Sequence, residues 1–222
     1  DDTRALVVED FGTQRTVVVG NAGQTNKLYR VPNLPAQLPS TTGEAIGIET
    51  DDTRSISVAN LNEDTHKDIV VTNTGMPPVL YLNDGSNDFT DVIPVVAGGV
   101  ATTDGSAGPD EFFAVGLGDL DSNGFLDVIA GHQMYLNPGG TTNAGDFTDA
   151  EPYGFTQLNE DVKSVAVADL DGDGDNDVVF STSTAIMVYL NPTGSMNRFF
   201  SGSTFFQNVN PISITLGYES VV

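Results

Sequence analysis

The residues best placed to do chemistry are oxygen donors set at every second position of three short stretches. In "DLDGDGDND", Asp169, Asp171, Asp173, Asp175 and Asp177 alternate with Leu, Gly and Asn. The same register gives Asp119, Asp121, Asn123, Phe125 and Asp127, and again Asn60, Asn62, Asp64, His66 and Asp68. Carboxylates this close repel one another unless a cation sits among them. Counting from the first residue of each stretch, side-chain oxygens stand at positions one, three, five and nine, and position seven can add its backbone carbonyl. That suits Phe125 and His66, whose side chains are poor partners for a hard cation. Ca2+ takes about six to eight oxygens at roughly 2.3–2.6 Å, from carboxylates, amides, carbonyls and water. Gly124 and Gly174 at position six permit a sharp turn, and Thr65 stands there in the earliest stretch. Up to three Ca2+ ions are expected. Affinity should grade with carboxylate number, the stretch at Asp169 binding most tightly and that at Asn60 least. The related segment "DFGTQRT" from Asp10 loses its acids and admits Arg15, so no metal is expected there.

The elements around these stretches must hold them in one register. "SISVANLNEDTHKDIVVTN" from Ser55, "FAVGLGDLDSNGFLDVIAG" from Phe113 and "SVAVADLDGDGDNDVVFST" from Ser164 are copies of one pattern. Each is followed by "VLYLNDG", "QMYLNPGG" or "MVYLNPTG", and then by Phe89, Phe147 or Phe199. Asp1-Asp2-Thr3-Arg4 recurs as Asp51-Asp52-Thr53-Arg54. The flanking runs are short, β-branched or aromatic, and bounded by Asn, Pro and Gly turn signals. Three clear strands and a less regular fourth per unit of about 50 residues is the period of a propeller blade. An insertion around Gly98–Gly108 stretches it once. An EF-hand would need a glutamate at position twelve and flanking helices, but Phe180 stands there between β-type runs. An Asp-Gly turn without an ion explains one such stretch better than three in register.

Composition narrows the function classes. The 222 residues carry 31 acidic and 8 basic side chains, a formal charge of −23, which disfavours nucleic acid and anionic membranes and favours cations. Hydrophobic residues at 39% are enough for a core. Without cysteine there is no disulfide framework or thiolate metal site. No apolar run approaches a membrane span, and no N-glycosylation acceptor is present, because Asn191 precedes Pro192. The chain opens on Asp1-Asp2 within a repeat, as a processed or partial product would. His66 and His132 are the only histidines, so no enzymatic activity is expected.

These loops and strands resemble the FG-GAP or VCBS-type repeat of integrin α-subunit propellers and many secreted microbial proteins, strongly from Ser55 to Leu190. The resemblance implies an all-β fold, a β-propeller of four-stranded antiparallel blades with Ca2+ between adjacent strands. The expected units are about 1–50 (degenerate), 51–109, 110–160 and 161–212, with 213–222 opening another. Four units and a fraction are fewer than the seven blades often seen, so a fragment, a smaller ring or completion by a neighbouring molecule is expected. The implied function is extracellular: a calcium-binding structural or adhesive protein with a protein or glycan partner at the cell surface or matrix. Partial blades at both ends suggest a homo-oligomer or head-to-tail filament built by strand complementation. A carbohydrate-binding lectin and a non-catalytic part of a polysaccharide-active enzyme are the alternatives. Tyr81, Tyr135 and Tyr189 share one strand position and are expected to pack between blades. Phe112, Phe113, Phe199, Phe200, Phe205 and Phe206 are expected in core or interface.

Overall fold

A computed structural model describes residues 2–12, 15–31, 42–86, 89, 92–94, 114–140, 145–147, 153–155, 162–191 and 212–215. The insertion around Gly98–Gly108 and the six phenylalanines just named lie outside these, as does Phe199 as an opening residue. Every described element is a strand. The first sheet holds β1 (Thr3–Asp10), β2 (Arg15–Asn21), β3 (Asn26–Arg30) and β4 (Glu44–Ile46). The second holds β5 (Thr53–Ala59), β6 (Asp68–Asn73), β7 (Met76–Tyr81) and β8 (Val92–Pro94). In the third are β9 (Val115–Gly118), β10 (Asp127–Ala130), β11 (Gln133–Tyr135) and β12 (Tyr153–Gly154). The fourth has β13 (Ser164–Ala168), β14 (Asp177–Ser181), β15 (Ala185–Tyr189) and β16 (Ile212–Thr215). All four sheets are antiparallel with strands in chain order. Each alternating β-branched run thus becomes a middle strand with two apolar faces.

The run from Ser213 does not open a further unit: β16 pairs with β15, Ile186 opposite Ile214 and Val188 opposite Ile212, and completes the fourth sheet. A short apolar run carries no mark of which sheet edge it will join.

Strand alternation sends successive side chains of one strand into different layers. Ile69 and Val71 of β6 face the first sheet, while Val70 faces the third. Val128 and Ala130 of β10 face the second sheet, and Ile129 the fourth. Three apolar layers result, each of the same construction. Position two of one loop (Phe11, Leu61 or Leu120) shares a buried layer with the tyrosine of the next sheet's third strand (Tyr81, Tyr135 or Tyr189). The three tyrosines are at most 2% exposed, so they do pack between sheets. Burying each such side chain contributes about 1.5–3 kcal/mol. Phe89 and Phe147 join their layers from outside the strands, and Phe155, Phe180 and Tyr189 form an edge-to-face triangle with centroids 4.7–5.7 Å apart.

The first strands of consecutive sheets touch in succession, β1 to β5 to β9 to β13. Glycine makes this approach possible at Gly118, where a Cβ would collide with the Val167 side chain. The repeated Asp-Asp-Thr-Arg is a structural device. Arg4 and Arg54 bond back to Asp2 and Asp52 at 2.7 Å, and Thr3 and Thr53 donate to Asn21 and Asn73.

Candidate metal centre

Each acidic stretch is the loop between the first and second strands of its sheet, and position nine is the second strand's first residue. Asp68, Asp127 and Asp177 there are wholly buried. One oxygen of each accepts the N–H of position two, from Leu61, Leu120 and Leu170 at 2.8, 2.7 and 2.8 Å. The other accepts the N–H of Asn83, Asn137 or Asn191, just past the third strand, at 2.9, 2.7 and 2.7 Å. Burial pushes the Asp127 carboxyl up to about 8 and that of Asp68 to about 6, the two N–H bonds pulling the other way.

Two loops gather carboxylates. Oxygens of Asp119, Asp121 and Asp127 lie within 4.8 Å of one another, and those of Asp169, Asp171 and Asp177 do the same. Short i to i+2 bonds shape the loops: Asn123 N–H to Asp121, Phe125 N–H to Asn123, Asp173 N–H to Asp171 and Asp175 N–H to Asp173, at 2.8–3.2 Å. Asp119 and Asp169 also accept the N–H of Gly124 and Gly174. Left-handed backbone occurs at position six (Gly124 φ +93°, Gly174 φ +99°) and also at position four (Ser122 φ +59°, Gly172 φ +80°). Burial, and then Asp119, raise the Asp121 carboxyl.

The remaining sequence candidates fall elsewhere. Asp173 stands outside the group of three, and the Asp175 carboxylate accepts the Ser122 hydroxyl of the neighbouring loop at 2.7 Å. Asn123 donates to Asp121 and to the carbonyl of Asn137. At position seven the side chains lie over the glycine that follows the third strand, Phe125 on Gly139 and His66 on Gly85, and so turn outward from the loop. The loop from Asn60 gathers no third acid. Asn60 and Asn62 donate to Asp64, whose Oδ1 takes the His66 N–H at 2.6 Å. Its position four, Glu63, has φ +60°, but Thr65 at position six is not left-handed. In the first sheet Arg15 enters β2, and among the described residues no acid group forms there. His132 is half-buried in the turn between β10 and β11.

From the sequence, Asn83, Asn137 and Asn191 read only as turn signals. Their signal was present, an asparagine ending each "YLN". Asn137 Nδ2 donates to the carbonyl of Leu61 at 2.8 Å, and Asn191 Nδ2 to that of Leu120 at 2.8 Å, so each joins its own loop to position two of the preceding one.

The pattern of loop, buried aspartate and closing asparagine occurs three times in one register, and the sequence model described as FG-GAP-like repeat matches residues 60–130 and 132–180. The chain belongs to the FG-GAP-like repeat family. Those two segments contain all three acidic loops of the FG-GAP-like repeats. Among solved structures, that of the V. cholerae biofilm matrix protein Bap1 aligns with 84% of this chain and 37% of its own, at 16% identity and a TM-score of 0.41. The chain spans little more than a third of that protein's length. No curated protein sequence matches.

Each repeat loop that gathers three acids offers an all-oxygen donor set, two carboxylates from the loop and one from the first residue of the second strand, without sulfur or imidazole. Such a set could hold a hard divalent cation. Bound there, the ion would be held by positions one, three and nine and would offset the repulsion among them.

Proposed function

We propose that this chain is a calcium-stabilised, non-catalytic β-propeller segment of an extracellular structural or adhesive protein. The observation that carries the reading is the convergence of three carboxylates within 4.8 Å at the same register of two loops, on a chain of charge −23. Millimolar extracellular Ca2+ would fill such sites, and binding free energy then becomes folding free energy. The loop from Asn60 is the weakest of the three.

Propeller geometry is supported by the succession of first strands and by three layers of one construction. Both ends of the stack present the faces that are covered inside it. Leu6 and Val8 of the first sheet are 63% and 54% exposed, and Leu170, at position two, is 50% exposed where Leu61 and Leu120 are 1%. Further blades, from more of the same polypeptide or from a neighbour, would bury them. A head-to-tail filament of this chain is the second reading. Its first sheet carries Val31 where the others carry the closing asparagine, so it would cover Leu170 without supplying a carboxamide. Burial of Tyr81, Tyr135 and Tyr189 removes three aromatics from service as a sugar platform, which favours adhesion through protein contacts over a lectin.

The test is calorimetric titration of the metal-free chain with Ca2+, with thermal unfolding in chelator alongside. Uptake of at least two ions and a raised melting temperature are expected. A chain that takes up no Ca2+ and melts at one temperature in both media would sink the proposal.

A further inference from the structure

The loops at Asp119 and Asp169 are bonded to each other as well as within themselves. Ser122 Oγ, at position four of one, donates to Asp175 Oδ1, at position seven of the other, at 2.7 Å. In the opposite direction Asn176 Nδ2, at position eight, donates to the carbonyl of Asp119, itself at position one, at 2.9 Å. Asn191 adds a third tie. Its N–H holds Asp177 Oδ1 at 2.7 Å while its Nδ2 holds the carbonyl of Leu120 at 2.8 Å and that of Asn176 at 3.2 Å. Every one of these bonds ends on a member of an acid group or on a residue within two positions of one. The loops at Asn60 and Asp119 share only the Asn137 to Leu61 bond of this kind among those described.

We infer that the loops at Asp119 and Asp169 take up their cations as one positively coupled unit, with Ser122 and Asn176 as the coupling residues. The inference rests on the cation reading above. An ion in one loop orders the backbone that the other loop's bonds depend on, so the second ion meets a site whose ordering cost is already met. Bare repulsion between two nearby dications acts the other way. Positive coupling is therefore a signature of the bonds and not of charge. Neither coupling residue is needed as a ligand: Ser122 and Asn176 occupy the even positions, and both acid groups remain whole without them.

The experiment is Ca2+ titration of the full chain by calorimetry, with variants that disable one loop at a time. Asp171→Asn disables the later loop. The affinity of the loop at Asp119 should then fall at least about fivefold, the lower end of usual coupling. Asp121→Asn gives the reciprocal measurement, and linkage requires the same factor. In the Ser122→Gly/Asn176→Ala background, which changes no charge and suits the left-handed backbone at Ser122, the drop should shrink below about twofold. Any effect of the lost carboxylate charge persists in that background and cancels in the comparison. Should Asp171→Asn prove poorly folded by circular dichroism, the Asp121→Asn arm alone carries the test. Ca2+ uptake with no drop in either variant overturns the coupling and leaves the cation reading intact. A drop unchanged in the Ser122→Gly/Asn176→Ala background overturns the assignment to these residues. Absence of Ca2+ uptake by the native chain is the separate failure of the cation reading.

Discussion

Replacing Asn137 should be the most damaging neutral substitution outside the acid groups. Its carboxamide is wholly buried and makes four bonds. Nδ2 donates to Leu61 and Leu126 carbonyls at 2.8 and 3.1 Å, and Oδ1 accepts from Gly139 and Gly145 at 3.2 and 3.1 Å. Asn137→Ala strands two carbonyls and two N–H groups where water has little access. Each bond contributes about 0.5–1.5 kcal/mol net, so the loss should be about 2–6 kcal/mol. For a domain of this size, about 2–4 °C per kcal/mol puts the fall in melting temperature at roughly 5–20 °C. Asn137→Asp separates hydrogen bonding from volume. It keeps the acceptor but turns an oxygen toward two carbonyls, and its buried carboxyl should titrate high. A raised carboxyl binds its proton more tightly in the folded state, so this variant should regain stability relative to the native chain as pH falls. Urea unfolding in chelator, at neutral pH and near pH 4, measures both. A loss under about 1 kcal/mol for Asn137→Ala would refute the idea that this side chain locks two loops together.

Three further outcomes are expected. Chelation should lower the melting temperature by about 5–10 °C for each site held at a hundredfold its dissociation constant, since such occupancy contributes about 2.7 kcal/mol; calorimetry with and without Ca2+ checks it. Gly118→Ala should cost about 1–3 kcal/mol, because the new methyl meets Val167 across the approach of β9 and β13, and Val167→Ala in the same chain should recover part of it in urea unfolding. Glu9 accepts a bond from Lys67 at 2.5 Å, and that bond holds its carboxyl below the usual range. Because the folded value is the lower one, the pair's contribution of about 0.2–1 kcal/mol is present above the ordinary glutamate value. The gap between native and Glu9→Gln chains should close as pH falls through the depressed value, as chemical unfolding across pH will show.

What could be read from the residues alone was whatever local spacing dictates. Alternating acids with glycine at position six announce a tight loop that could hold a cation, and period-two apolar runs announce strands, because both depend on neighbours a few residues apart. The all-β class, the repeats and the role of the three tyrosines followed from this. Which aspartates converge was a tertiary matter. In the two loops that gather three acids, position nine meets positions one and three where an asparagine ten or fourteen residues further on holds it. Asp175 turns to Ser122 of another sheet, and that distance along the chain leaves no mark in any short window. The destination of β16 was likewise set by which sheet edge stood open beside it. Local sequence specifies the loop's chemistry. Contacts between sheets decide which oxygens the loop can bring to one point.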